Sequence, residues 1–174
     1  MFDTTSKWLH WLVAALYIAI IPTGLMFDSL VPGSPEKLRM IDIHETAGLA
    51  LLVLAAWRLA RRLREGLPAE NRTHRGYERL VARVVQIVLL VATVALPLSG
   101  IYAAWELGDP LTWSGLTIWP AEVPRGGGTL SFVLHGGPLI VLGLTPFLLL
   151  HIAGALKHHW IDRDDTLGRM WFSR

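Results

Sequence analysis

The sequence predicts an all-α membrane protein that folds as a bundle of four transmembrane helices. Apolar residues make up 52% of the 174 residues and charged residues only 17%, whereas soluble domains usually contain ~25% charged residues. The apolar residues are gathered into four blocks, and the first and third lack the polar stripe that a helix of a soluble bundle would show. The length is that of one domain, which we place over residues 1–174.

Each block can cross a bilayer, which takes ~20 mostly apolar residues. The first block contains no charged residue, and its apolar run is too long for a signal peptide and ends without a small-residue cleavage site, so we interpret it as retained. The second is long enough if His44 and Arg58 are buried or extend to the interface at its ends. The predicted spans are about 8–27, 44–63, 81–105 and 132–158.

Lysine and arginine are distributed unequally between the predicted loops, and this inequality sets the orientation. The segment 58–83 holds eight arginines, and the regions near the two ends of the chain raise the total on that side to thirteen basic residues. The other side holds only Lys37, Arg39 and Arg125. Both termini are therefore expected in the cytoplasm, with loops 28–43 and 106–131 outside. The arginine-rich segment could also bind nucleic acid, but a net charge of +2 and its place between two spans favour an inner loop and no nucleic-acid partner.

The outer loop 106–131 has its own composition. It contains the turn-forming runs Gly108-Asp109-Pro110 and Gly126-Gly127-Gly128, with Trp113 and Trp119 between them. Tryptophan favours the headgroup level of a bilayer. We therefore expect this loop to lie on the membrane surface, with room for a short interfacial helix.

Four histidines lie inside or at the ends of the predicted spans, where an ionisable side chain is costly and usually functional. The direction of each span places His10 and His151 toward the cytoplasm, and His44 and His135 toward the outside. Two neutral imidazoles on neighbouring helices can hold the iron of a flat porphyrin between them. The alternative for each histidine is an interhelical hydrogen bond.

The chain has no cysteine, which excludes disulfides, iron–sulfur clusters, cysteine-ligated zinc and covalent c-type haem. Two noncovalent b-type haems are therefore the natural cofactors of a dihaem core. The metal ligands would be the four histidines His10, His44, His135 and His151.

The spacing within the fourth span is unusual. His135 and His151 are sixteen residues apart, which is ~24 Å along a straight helix and ~160° around it. A straight helix would turn the two side chains to nearly opposite faces. Pro138 and Pro146 lie between them, so we expect a kink, or a helix that starts at Gly137–Pro138 with His135 just before it.

Two further residues share helical faces with the histidines. Arg58 comes fourteen residues after His44, where it could pair with a propionate of the inner haem or simply extend to the interface. His158 comes seven residues after His151 and could hydrogen-bond a quinone headgroup or a propionate. It could equally belong to a solvated cluster with Lys157 and His159. Gly48, one turn after His44, leaves room for a ring edge against the backbone.

The sequence resembles the bacterial cytochrome b561 family over nearly its whole length. The resemblance is carried by Trp8-Leu9-His10-Trp11, His44-Glu45-Thr46-Ala47-Gly48, Ala95-Leu96-Pro97-Leu98-Ser99-Gly100, and the closing stretch from His151 to His159 with Asp164-Asp165-Thr166-Leu167. Members of this family are four-helix dihaem proteins of the bacterial inner membrane, and the resemblance implies axial ligation by His10, His44, His135 and His151. It also implies one-electron transfer between small redox partners and membrane quinone.

The chain looks most like those family members that oxidise superoxide outside the membrane and reduce ubiquinone. By this resemblance the protein is an oxidoreductase, and His158 lies near the quinone, with Arg58 or Arg163 balancing charge. The outer segments contain six acidic and three basic residues, a formal charge of −3. This charge does not attract an anion from a distance, although local patches can still do so.

Two other functions fit the same residues. A haem-carrying membrane anchor or electron-wire subunit of a dehydrogenase, or of another redox partner, would have no substrate site of its own and would co-purify with a soluble protein. A haem-free transporter or scaffold would keep its histidines in hydrogen bonds and would show no reducible b-type absorbance.

Overall fold

The computed structural model describes residues 3–67 and 75–171, and these are mostly helical. The helices are α1 (Thr4–Leu25), α2 (Pro35–Glu65), α3 (Gly76–Leu107), α4 (Thr129–His135) and α5 (Thr145–Trp160). Two short strands between α3 and α4, β1 (Leu111–Trp113) and β2 (Leu116–Trp119), pair in antiparallel fashion. A π-helical stretch, Leu139–Leu144, joins α4 to α5.

Helices α1, α2 and α3 are each long and apolar enough to cross a membrane. Large apolar side chains cover the outside of the bundle, among them Val53 and Leu142, which are 66% and 78% exposed. Exposed apolar surface of this extent is typical of a protein that faces lipid. The fourth apolar block is divided between α4, the π-helical stretch and α5, whose 16 residues are fewer than the ~20 of a straight span.

The N-terminus of α1 and the C-terminus of α2 meet at one end of the bundle. Asp3 caps α1 by accepting a hydrogen bond from the backbone N–H of Ser6 at 2.8 Å. The same carboxylate pairs with Arg61 of α2, with 2.5 Å between Oδ2 and Nη2. The hydrogen bond from Arg61 holds the pKa of Asp3 well below its usual range. This end also receives the chain's C-terminal segment, because Lys7 and Trp11 donate hydrogen bonds to the carbonyls of Trp171 and Met170.

The buried core lies at mid-height in the bundle. It consists of apolar side chains from α1, α2, α3 and the π-helical stretch: Val13, Tyr17, Leu51, Leu96 and Leu144. On α1 the core residues lie between His10 and Thr23, and on α2 the core residue lies between His44 and Arg58. The core therefore separates two levels of the bundle.

The helix of the fourth apolar block is broken between His135 and His151, as the sixteen-residue separation of these histidines predicts. α4 ends at His135, and Gly136 is extended, with φ −80° and ψ −168°. A Cβ at Gly136 would lie only 2.4 Å from the carbonyl oxygen of Phe132, so this close approach requires glycine. Because the helix stops here and resumes after Pro138, His135 and His151 do not follow the geometry of one straight helix.

The outer loop forms a β-hairpin rather than the short interfacial helix considered from the sequence. Its turn uses Ser114 and Gly115, with φ values of 50° and 79°, as a tight hairpin requires. Glu45 of α2 anchors the first strand by accepting hydrogen bonds from the N–H and hydroxyl of Thr112 at 2.7 and 2.6 Å. These long-range contacts explain why the segment forms strands beside α2.

Replacing Gly136 by alanine tests the break. We expect Gly136→Ala to lower the free energy of unfolding by about 1–3 kcal/mol, because the new methyl group must displace the Phe132 carbonyl. Gly137→Ala is the matched control, since a Cβ there meets no atom of the described residues within 4 Å. Thermal unfolding of the two detergent-solubilised variants measures the difference, and equal melting temperatures would show that Gly136 is not needed.

Candidate functional site

The four intramembrane histidines meet as two pairs, one at each level of the bundle. His10 of α1 and His151 of α5 have ring centres 6.1 Å apart and ring planes at 68°. His44 of α2 and His135 at the end of α4 have ring centres 5.8 Å apart and planes at 84°. From the direction of each span, the sequence predicts that the two members of each pair lie at equal depth. The structure brings these residues together.

The outer pair, His44 and His135, is held by acceptors at one nitrogen of each ring. The hydroxyl of Thr23 donates to the carbonyl of Ile20 at 2.6 Å, so its oxygen remains to accept from Nδ1 of His44 at 2.9 Å. Nδ1 of His135 lies 2.9 Å from the carbonyl oxygen of Leu96, which can only accept. Both Nδ1 atoms therefore carry the proton, and each neutral ring keeps the lone pair of Nε2 for a metal.

Two glycines give these rings their space. A Cβ at Gly24 would lie 3.0 Å from Cε1 of His44, and a Cβ at Gly100 would lie 2.9 Å from Cε1 of His135. Any larger residue would push the rings from their positions. At Gly48, by contrast, a Cβ would meet only a side-chain atom of Ile20 at the ordinary distance of 3.5 Å, and the room expected there for a ring edge stays a prediction.

The inner pair, His10 and His151, faces a cation. Nη2 of Arg58 lies 3.3 Å from Nδ1 of His10. A guanidinium group has donors only, so Nδ1 accepts in this contact. Within the described ranges, no carboxylate lies at ion-pair distance from Arg58, which is half-buried. Arg58 therefore sits at the inner level, as its position on α2 predicts, and carries a positive charge beside a histidine.

The C-terminal end of α5 carries a network of charged side chains around His158. Nδ1 of His158 lies 2.7 Å from Oδ2 of Asp162 and 3.4 Å from Oδ2 of Asp164. Lys157 bridges Asp162 and Glu78 of α3 at 2.6 and 3.0 Å, and its hydrogen bond lowers the pKa of Asp162. The side chain of His158 is only 12% exposed, so it is not part of a fully solvated cluster.

His158, Asp162 and Asp164 together have the types and spacing of metal ligands. The ammonium group of Lys157 already lies on the same Asp162 oxygen, which disfavours a second cation there. Arg163 is exposed, with a φ of 52°. Among the described residues, no hydrogen bond or ion pair brings it to His158.

The geometry of both histidine pairs fits a shared metal ion. A metal–imidazole bond is about 2 Å long, so two rings that share one metal ion have centres about 6 Å apart, which agrees with 6.1 and 5.8 Å. The hydroxyl of Tyr17 is buried between the two levels and has no hydrogen-bond partner within the part of the chain that the structure describes. Buried polar atoms are rarely left unpaired, which is consistent with a site that receives a further group.

Sequence reasoning did not identify Thr23, Ser99 or Gly100 as parts of the site. Ser99 lies 3.1 Å from Nδ1 of His135 and donates to the carbonyl of Leu96. Ser99 and Gly100 belong to the segment of α3 that carries the family resemblance, and this was the only signal for them. Nothing in the sequence distinguishes Thr23 from other span threonines.

Comparisons with known proteins agree with this geometry. The sequence matches the family model described as "Prokaryotic cytochrome b561" over residues 1–173. Two proteins of Escherichia coli K12, "Cytochrome b561 homolog 2" and "Cytochrome b561 homolog 1", are 25% and 28% identical to it. The alignments cover 97% of this chain in both cases, and 90% and 96% of the relatives. "Probable superoxide oxidase CybB" of Yersinia pestis is 30% identical over 93% of this chain and 90% of that protein. The chain therefore belongs to the prokaryotic cytochrome b561 family, whose members bind b-type haem and transfer electrons in membranes. It is an integral membrane protein.

Proposed function

We propose that the chain is a dihaem electron-transfer protein of the bacterial inner membrane. His44 and His135 would hold the outer b-type haem, and His10 and His151 the inner one. The observation that carries this proposal is the meeting of the four histidines as two pairs with ring centres about 6 Å apart, the spacing of a shared metal ion. When bound, each haem iron would supply a one-electron couple, while the protein supplies ligands, burial and orientation.

The proposed topology has four spans, of which the broken α4–α5 segment is the fourth. The contacts of Lys7 and Trp11 with the backbone of Trp171 and Met170 bring the start of α1 and residues 170–171 together near the inner histidine level. This proximity supports an even number of crossings. The described basic residues of 58–67 and 75–83 belong to the helix ends that the ion pairs Arg61–Asp3 and Lys157–Glu78 join to α1 and α5, so the positive-inside rule supports a cytoplasmic location for this end. Arg72 and Arg174, which the orientation argument also counted, lie outside the described residues.

The proposed reaction transfers electrons from superoxide outside the membrane to ubiquinone inside it. Two superoxide anions lose one electron each and become dioxygen, and one quinone takes up the two electrons and two protons to become quinol. The name of the Yersinia pestis relative supports this donor. Because the outer segments have a formal charge of −3, we expect no long-range attraction of superoxide to the protein.

The proposed quinone site is at the cytoplasmic end of α5. Asp162 faces Nδ1 of His158, and in this proposal the other ring nitrogen, Nε2, contacts a quinone oxygen. A histidine on the cytoplasmic side can pass a proton to quinone as the quinone is reduced. In this proposal Arg58 pairs with a propionate of the inner haem, and Arg163 or Arg58 balances charge as quinone is reduced. The position of Arg163 just beyond α5 is its only support.

Replacing one histidine of a pair tests the ligand assignment. We expect His10→Ala and His44→Ala each to retain one haem per chain instead of two, because the remaining histidine cannot hold the iron alone. His159→Ala is the control, since His159 is an exposed histidine of α5 that belongs to neither pair. The haem content of the purified proteins, measured from visible absorbance, decides the matter. Two haems retained in His44→Ala would contradict the outer site.

A stopped-flow experiment tests the reaction. Superoxide mixed with the oxidised purified protein should produce the reduced b-type bands, and added ubiquinone should then restore the oxidised spectrum. Raising the ionic strength should not slow the first phase, because no long-range attraction is screened. A protein that contains haem but is not reduced by superoxide would exclude this donor and favour a protein partner.

Replacing His158 tests the quinone site. We expect His158→Ala to slow quinone reduction at least ~tenfold, as removal of a general acid does, with haem content and reduction by superoxide unchanged. His159→Ala again serves as the matched control on the next residue. Equal rates of quinone reduction in the two variants would place the quinone elsewhere.

A further inference from the structure

The two histidine pairs differ in the charge of their surroundings. At the outer pair, the groups that face the Nδ1 atoms are the hydroxyl of Thr23 and the carbonyl of Leu96, which are uncharged. The residue that follows His44 in α2 is the carboxylate Glu45, whose hydrogen bonds come from the neutral Thr112. The surroundings of the outer pair are therefore neutral or negative.

At the inner pair, the guanidinium of Arg58 lies 3.3 Å from Nδ1 of His10. No carboxylate among the described residues neutralises it, and its half-burial weakens screening by water. We propose that Arg58 holds the reduction potential of the inner haem site above that of the outer site. This inference depends on the proposed function, because it requires a haem at each level.

The direction of the effect follows from charge. Oxidised haem iron carries one more positive charge than reduced iron, so a nearby cation disfavours the oxidised form, and it does so more strongly at low dielectric constant. If the guanidinium turns from His10 to a haem propionate, it neutralises a negative charge that would otherwise favour the oxidised form. Only in this second orientation can Nε2 of His10 hold iron, because a guanidinium that donates to Nδ1 leaves the proton of the neutral ring on Nε2. The charge of Arg58 then raises the potential of the inner site.

The hydrogen bonds of the outer pair act in the opposite direction. An imidazole that donates its Nδ1 proton to an oxygen acceptor becomes a more basic ligand, and a more basic ligand stabilises the oxidised iron. The hydroxyl of Thr23 and the carbonyl of Leu96 therefore lower the potential of the outer site. One electron that leaves the outer site and enters the inner site then moves downhill, with no proton or further reactant required.

The order of the two potentials is measured with variants that keep one haem each. His44→Ala leaves the inner haem and His10→Ala leaves the outer haem. A redox titration followed in the visible bands should give the higher midpoint for His44→Ala. Equal midpoints or the reverse order would overturn the inference, whereas colourless variants and a colourless parent protein would instead refute the proposed function.

The role of Arg58 itself is tested by removing its charge. In the His44→Ala background, Arg58→Gln should decrease the equilibrium constant for reduction at least tenfold, which is about 59 mV for a one-electron couple. Arg58→Lys should retain most of the parent midpoint, and it decides the question if Arg58→Gln loses the haem. Arg64→Gln is the matched control, because Arg64 lies on the same helix and is exposed. An inner midpoint that is the same in Arg58→Gln and Arg64→Gln would overturn the proposal. A midpoint in Arg58→Lys that falls by about 59 mV or more would overturn it as well.

Discussion

An imidazole in the interior of a membrane has no water to satisfy its two ring nitrogens, and the architecture of the site follows from this constraint. At the outer level, the oxygen atoms of Thr23 and Leu96 accept the Nδ1 protons. This fixes the tautomer and turns the unprotonated Nε2 atoms to the remaining space. A buried nitrogen lone pair without a partner is costly, so this arrangement favours a further group at the Nε2 atoms. The hydrogen bonds thus explain why a metal cofactor suits this bundle better than a purely structural role for the histidines.

The second constraint is steric, and it acts on the backbone. Helix α3 brings Gly100 against the ring of His135, and α1 brings Gly24 against the ring of His44. The break at Gly136 then frees His135 from the rotation of α5, so that it can face α2 while His151 faces α1. A helix break within a membrane leaves backbone groups without their usual partners. Part of that cost is offset by the bond from the N–H of Gly136 to the carbonyl of Phe132 and by the π-helical stretch that follows.

The sequence predicted those features that depend on composition and chain direction. Four apolar blocks indicated the helices, and the direction of each block paired His10 with His151 and His44 with His135. The awkward spacing of His135 and His151 indicated the break. The sequence did not predict the hairpin, because its anchor joins Glu45 to Thr112 across 67 positions and no local pattern reports such a contact. It likewise could not show that Thr23 faces His44, since that depends on how α1 packs on α2.

The packing between the two levels favours an electron carrier over a transporter. A solute would need polar groups along a continuous path, but the two histidine levels are separated by the apolar side chains of Val13, Leu51, Leu96 and Leu144. At the outer level, the hairpin is bound to the start of the α2 span through Glu45 and Thr46. At the inner level, the C-terminal segment is bound to Trp11. An electron can cross an apolar layer between two redox centres, whereas an ion cannot cross it without a large desolvation cost. The described residues therefore form a bundle in which apolar side chains separate the two histidine levels.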